Sequence, residues 1–134
     1  MLHLLDWFFF LFHNFVILFN LFGWVWKRTR RANLLLLLLT AFSWFFLGIW
    51  YGWGYCMCTD WHWQVLEKLG RANLPNSYIT YLLQRINTNW QVPQNIIDTA
   101  TAACFFLALV ASVVVNFIDW RKRKVKTVYT NEFR

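Results

Sequence analysis

One run of sequence constrains this chain more than any other feature. Leu4 to Trp26, LLDWFFFLFHNFVILFNLFGWVW, is a nearly unbroken apolar stretch of 23 residues. As a helix it reaches ~35 Å at ~1.5 Å per residue, enough to cross a hydrocarbon core of ~30 Å. Within it Asp6, His13 and Asn20 recur at seven-residue intervals. Seven residues are almost two helical turns, so the three share one face and drift by only ~20° per step. Ionisable groups at membrane depth face protein or a wet cavity, because facing lipid is costly. The run therefore predicts a spanning helix with a covered side, and other helices to cover it.

Composition supports the same class. Of 134 residues, 59% are apolar and 22% aromatic, with 14 Phe and 10 Trp. A soluble domain of one-domain length would expose much of that surface in large patches, whereas a bilayer accepts it and favours Trp and Tyr at its interfaces. The net charge of +7 is concentrated. Lys27, Arg28, Arg30 and Arg31 form one cluster, and Arg121, Lys122, Arg123, Lys124, Lys126 and Arg134 another. Both flank apolar runs, as the positive-inside rule expects of cytoplasmic segments, and both can meet anionic headgroups. This distribution argues against nucleic acid as a partner, and no zinc-finger spacing, RNA-binding motif or phosphate loop is present in the sequence. Without a basic n-region or small-residue cleavage site, the first run reads as a retained helix. An odd cysteine count, three, precludes a full disulfide framework within one chain.

The expected architecture is an all-α integral membrane bundle with three transmembrane helices, near 4–26, 33–55 and 96–120. Residues 1–124 form one transmembrane domain, followed by a frayed cytoplasmic tail over 125–134. In the second span Leu34 to Leu39 is lipid-facing bulk, and Gly48 and Gly52 form a small-xxx-small pair for close helix approach. Trp44, Tyr51 and Tyr55 give that span an aromatic face. In the third, Asp98, Thr101, Ala108, Ser112 and Asp119 share a packing stripe, Cys104 belongs to the core, and Asp119 pairs with Arg121 or Arg123. The segment 56–94 is too polar to span. It reads as two short amphipathic interfacial helices, Trp61–Leu69 ending at Gly70 and Tyr78–Ile86 capped by Asn76 or Ser77. Trp61, Trp63 and Trp90 anchor them, apolar face down, as a cover over the bundle. The charge count puts the N-terminus and this segment outside and the tail inside.

That orientation brings the chemically capable residues to one side. Asp6, His13, Cys56, Thr59, Asp60, His62 and Asp98 are the candidates for a shared outward-facing pocket. Cys56-Met57-Cys58 reads either as a soft metal site completed by His13 or His62, as an exposed redox dithiol, or as two packing thiols. No second Cys-x-Cys or Cys-x-x-Cys completes a four-ligand set, which favours packing. His13 with Asp6 reads as a proton relay, as a haem ligand with an orienting carboxylate and His62 opposite, or as bundle glue. His3 is expected to be solvated. Asp60-Trp61-His62-Trp63 reads as a general base and its partner at an interface, but no nucleophile elbow or zinc-protease motif accompanies it, so an enzyme stays open without support.

The first-span Asp…His, Trp44, and Cys56-x-x-Thr59 after Gly-Trp-Gly resemble the domain of unknown function 2784 family of small bacterial integral membrane proteins. The resemblance runs from Asp6 to about Trp120. Members often carry Cys-Pro-Leu-Thr where this chain has Cys56-Met57-Cys58-Thr59, so Cys58 is a departure that leaves Cys56 and Thr59 as the better site residues. A glutamate often stands where His62 falls, and Tyr78-Ile79-Thr80-Tyr81-Leu82 is similar to the family's aromatic outer segment, adding Tyr81 and Trp44 to the ligand-binding candidates. The resemblance implies a fold and a bacterial inner-membrane location, and no activity.

The expectation is thus a multi-pass inner-membrane protein that serves as a binding or accessory subunit through a polar pocket at its periplasmic end. Its partners would be the bilayer and a membrane protein or further copies of itself. The alternative is a metal- or haem-dependent redox protein using His13, Cys56 and His62. A small transporter or channel is disfavoured by three spans without a visible inverted repeat.

Overall fold

Apolar residues of good helical propensity, uninterrupted by proline, carry α1 from Leu2 to Phe22. Gly23 closes it, its N–H bonded to the Phe19 carbonyl at 2.8 Å. In the computed structural model, which describes residues 1–52, 54–87, 89 and 92–132, four further helices follow. They are α2 (Arg30–Tyr51), α3 (Met57–Lys68), α4 (Tyr78–Ile86) and α5 (Gln94–Glu132). Every regular element among the described residues is helical, and α1, α2 and α5 are long and apolar enough to cross a membrane. The all-α architecture expected from sequence is the one found. Trp90, expected as an anchor, and Arg134 lie outside the described residues.

The ends of the second span differ from expectation for local reasons. α2 begins at Arg30, inside the basic turn, and stops at Tyr51 because Gly52 adopts a φ of 102°. Gly52 is thus a helix stop and not half of a packing pair, and a Cβ on it would meet nothing within 4 Å. A π-helical turn over Ser43–Leu47 interrupts α2, and the Ser43 hydroxyl donates to the Tyr55 carbonyl at 3.1 Å. α5 also departs from expectation. Its 39 residues reach ~58 Å, well beyond a hydrocarbon core. Val125–Glu132 continues the helix where a frayed tail was expected, because lysine and arginine are good helix formers. The Thr127 and Thr130 hydroxyls also return to carbonyls one turn back, Arg123 at 3.0 Å and Lys126 at 2.9 Å.

Three spans meet along a seam of Leu37, Phe105 and Ala108, flanked by Leu21, Ala41, Trp44 and Leu109. Leu37 is therefore core, although Leu35, Leu38 and Leu39 face outward as expected of the leucine run. Cys104 faces outward too, one position away from buried Phe105, and is not core. Toward the basic end the seam is polar. Asn33 donates to the Phe19 and Asn20 carbonyls at 2.6 and 3.2 Å, and its side-chain oxygen accepts the Ser112 hydroxyl at 2.8 Å. Asn20 donates to Thr40 at 3.1 Å, and Asn116 to the Arg30 carbonyl at 3.0 Å. Asp119 pairs with Arg30 at 2.9 Å, not with Arg121 or Arg123. The start of α2 lies directly against this part of α5, so a cation on the facing helix reaches Asp119 without leaving the seam.

The two short helices occupy the expected places but lie along α1 instead of across its end. His62 near the middle of α3 meets Asp6, while Leu66 and Leu69 join a cluster with Phe10 and Ile17. α3 therefore descends beside α1. Gly70, at φ 81°, ends it by supplying the left-handed residue that lets the Arg71 N–H return to the Leu66 carbonyl at 3.0 Å. α4 then climbs back, from Tyr78 at the level of His13 to Arg85 at the level of Asp6. Ser77 occupies its N-cap position without a side-chain cap bond. A flat cover would have left the ionisable stripe of α1 facing lipid; the hairpin buries it.

Candidate functional site: an ionic cluster between α1 and the α3–α4 hairpin

Within α1 the buried residues are Asp6, His13 and Asn20, the stripe read from the seven-residue spacing. The structure divides its three members. Asn20 belongs to the seam with α2, whereas Asp6 and His13 face the hairpin. Asp6 Oδ1 lies 2.7 Å from Nε2 of His62, both side chains buried. Arg85 brings a guanidinium nitrogen to 3.8 Å of the same oxygen from α4 and donates to the Tyr81 hydroxyl at 2.9 Å. Three ionisable side chains from three helices thus converge on one point.

Aromatic rings wall this point. Phe9 stacks on the His62 imidazole at 5.9 Å, Tyr81 meets it edge-on at 5.8 Å, and Trp63 and Tyr78 close the remaining sides. The Arg85 guanidinium sits 4.3 Å over Phe10 and 5.4 Å over Trp7, so cation–π attraction holds a charge that is only partly hydrated. One level deeper, His13 stacks face to face on Tyr78 at 3.9 Å. The Tyr78 hydroxyl accepts from Asn14 at 2.9 Å and donates to the Phe10 carbonyl at 3.3 Å. Burial pushes that hydroxyl up to about 12, so it stays protonated. Nδ1 of His13 and Nδ1 of His62 are buried without a partner among the described residues.

The other candidates divide. Tyr81 joins the cluster. Asp60 does not: it lies on another face of α3 and accepts from Gln64 at 2.9 Å. Asp98 is exposed near the start of α5 and accepts from Gln94 at 2.8 Å, and Gln94 in turn accepts from the Thr80 hydroxyl of α4 at 2.8 Å, so Asp98 does not itself enter the cluster. Trp44 belongs to the three-helix seam, its ring 4.6 Å from Phe105. His3 is exposed, as expected. Cys56, Cys58 and Thr59 form a separate group at the start of α3. Among the described residues no three His, Cys, Asp or Glu side chains come together as metal ligands, so His13, Cys56 and His62 are not assembled as one set. Trp63 is not an interface anchor; it packs on Tyr78 and Tyr81 and donates to the Pro75 carbonyl at 3.0 Å. Trp61 is exposed.

Sequence reasoning missed Arg85, Tyr78 and Asn14 as site residues. A signal was present: Tyr78, Tyr81 and Arg85 fall on one stripe of α4, and Asn14 adjoins His13. What was lacking was the knowledge that this stripe faces Asp6.

At the start of α3 the Cys56 carbonyl accepts the Thr59 and Asp60 N–H groups at 3.0 and 3.1 Å, making Cys56 the N-cap. The Cys58 thiol above all, then the Thr59 donors, lower the Cys56 thiol to about 6 against the opposing effect of burial. Cys58, donating to Cys56, is held well above the ordinary thiol range.

Fold and site together define an all-helical protein with three helices of membrane-spanning length and a buried ionic cluster beside the first. The chain belongs to the domain of unknown function 2784 family, whose model, described as a protein of unknown function, matches residues 3–117. That match spans α1 through most of α5 and includes every residue of the cluster. Neither a curated protein nor a solved structure matches the chain.

Proposed function

We propose that this protein is a multi-pass protein of the bacterial inner membrane, with its N-terminus and hairpin periplasmic and its basic tail cytoplasmic. In this reading residues 1–124 form one transmembrane domain that acts as a binding or accessory subunit through the Asp6–His62–Arg85 cluster. The orientation rests on the two basic clusters flanking the spans.

The observation that carries the function is the 2.7 Å Asp6–His62 contact with Arg85 beside it. Bundle cohesion has its own polar glue at the other end, through Asn33, Ser112 and Asn20. Charged groups withdrawn from water are a costly substitute for such neutral bonds, and intramembrane ionisable residues are functional candidates by default. Arg85 remains partly exposed, and a guanidinium carries five N–H donors. A partner carboxylate or carbonyl could engage it at the rim while Asp6 and Tyr81 hold it in place.

The experiment is purification in mild detergent after site-specific photo-crosslinking from Trp7, comparing wild type with Arg85→Ala. A stoichiometric crosslinked partner, lost in the variant while the thermal unfolding profile is retained, supports the reading. Identical crosslinks in both would sink it. The alternative, a metal- or haem-dependent redox protein, draws on the unpartnered Nδ1 atoms of His13 and His62. Stoichiometric metal or a Soret band, lost on His13→Ala or His62→Ala, would favour it instead.

A further inference from the structure

The thiols at the start of α3 lie outside the ionic cluster and are not used by it. We propose that Cys56 and Cys58 form a thiol–disulfide exchange site, with Cys56 as the attacking thiolate and Cys58 as the resolving thiol, acting on a disulfide-bearing polypeptide that reaches the N-terminal end of α3.

The geometry supports this at several points. Cys56 caps a helix of 12 residues, whose N-terminal partial positive charge favours a thiolate there. Cys58 and Thr59 follow it within the first turn of that helix. At the start of a helix, residues two apart have Cα atoms ~5.4 Å apart, from a ~2.3 Å radius and ~1.5 Å rise, inside the range that a disulfide bridges. Both cysteines are half-buried and therefore reachable, with exposed Met57 between them as an apolar rest for a polypeptide. Cys104, exposed on the outward face of α5, would also take glutathione, so every chain tested, wild type included, carries Cys104→Ser.

The chemistry balances. The Cys56 thiolate attacks one sulfur of the substrate disulfide, forming a mixed disulfide and expelling the other sulfur as thiolate, which takes a proton. The negative charge that held the Cys58 proton is then gone. Cys58 loses its proton, attacks the Cys56 sulfur, and expels the second substrate thiolate. A Cys56–Cys58 disulfide and a substrate dithiol result, two electrons and two protons having passed to the substrate. The reverse direction oxidises a substrate dithiol.

Oxidised glutathione, added to the detergent-purified full chain at pH 6, serves as the model disulfide, with intact mass as readout. Wild type is expected to lose the mass of two hydrogens and keep no adduct. Cys58→Ser should hold one glutathione on Cys56, and Cys56→Ser should stay unmodified. Iodoacetamide should alkylate Cys56 of the wild-type chain, resolved by peptide mass, about tenfold faster at pH 6 than Cys58, the larger thiolate fraction outweighing its lower nucleophilicity. A glutathione adduct that persists in wild type as in Cys58→Ser would overturn the resolving role. Alkylation of Cys56 rising only near the ordinary thiol range would overturn its activation. Because the decisive mass is that of the wild-type chain, a misfolded variant leaves the test intact.

Discussion

Asp6 on α1 and His62 on α3 are separated by 56 residues of sequence, yet their side chains meet at 2.7 Å in a setting closed to water. The His62 imidazole donates through Nε2 when neutral, leaving Nδ1 an open acceptor, and the arrangement fixes which face of α1 the hairpin covers.

Truncating either member leaves a buried polar group without its partner. Asp6→Ala should destabilise the protein by on the order of 3 kcal/mol. His62→Ala should lose a similar amount, since it adds a cavity to the orphaned carboxylate. Because the two losses share one contact, the double variant should lose less than their sum, by roughly 1–3 kcal/mol of coupling. Unfolding in detergent of the four chains measures this directly; additive losses would show that the contact carries no stability.

A second prediction concerns the neutral network at the basic end. Asn33→Ala strands the Ser112 hydroxyl and removes a donor from the Asn20 carbonyl and from the Phe19 carbonyl, which keeps its bond from Gly23, at a cost of about 1–3 kcal/mol. Gly23→Ala should destabilise through the same place, because its Cβ would lie 2.5 Å from the Phe19 carbonyl oxygen and 2.9 Å from Asn33 Nδ2. Backbone does not yield cheaply, so about 1–3 kcal/mol of strain is expected. An unchanged unfolding midpoint for Gly23→Ala would mean that α1 and α2 separate there at no cost.

Cys56 gives the protein a pH-dependent increment of stability. Its folded-state thiol value is lowered from the ordinary 9.0 to about 6, so folding favours the thiolate. The contribution is full above the ordinary value and is lost as pH falls through about 6. The stability gap between wild type and Cys56→Ser should therefore widen from pH 6 to pH 9. A constant gap over that window would exclude a folded-state thiolate.

The end of α5 should be dispensable for folding. The side chains of residues 125–130 are exposed, and the Thr127 and Thr130 hydroxyl bonds stay within the helix. Deleting residues 126–134 should move the unfolding free energy by no more than about 0.5 kcal/mol. A larger loss would reveal contacts of the extension with the rest of the chain.

Local pattern alone determined much of this protein. Length and hydropathy mark the three spans, and the spacing of Asp6, His13 and Asn20 identifies the three buried residues of α1, because helical periodicity is a property of the chain by itself. The extent of α4 was legible for the same reason. Which surface covers which face is a different kind of information. His62 was visible as a candidate beside Asp60, but only packing decided that His62 turns to Asp6 while Asp60 bonds along its own helix. Asp119 had cations two and four residues away, yet the start of α2 delivered Arg30. Gly48 and Gly52 matched a helix-packing spacing, and the backbone used Gly52 to stop instead. In each case sequence supplied the chemistry and the periodicity. Tertiary structure chose the partner, because a buried polar group bonds to whatever the facing helix places within reach, and spacing within one helix does not encode the helix opposite.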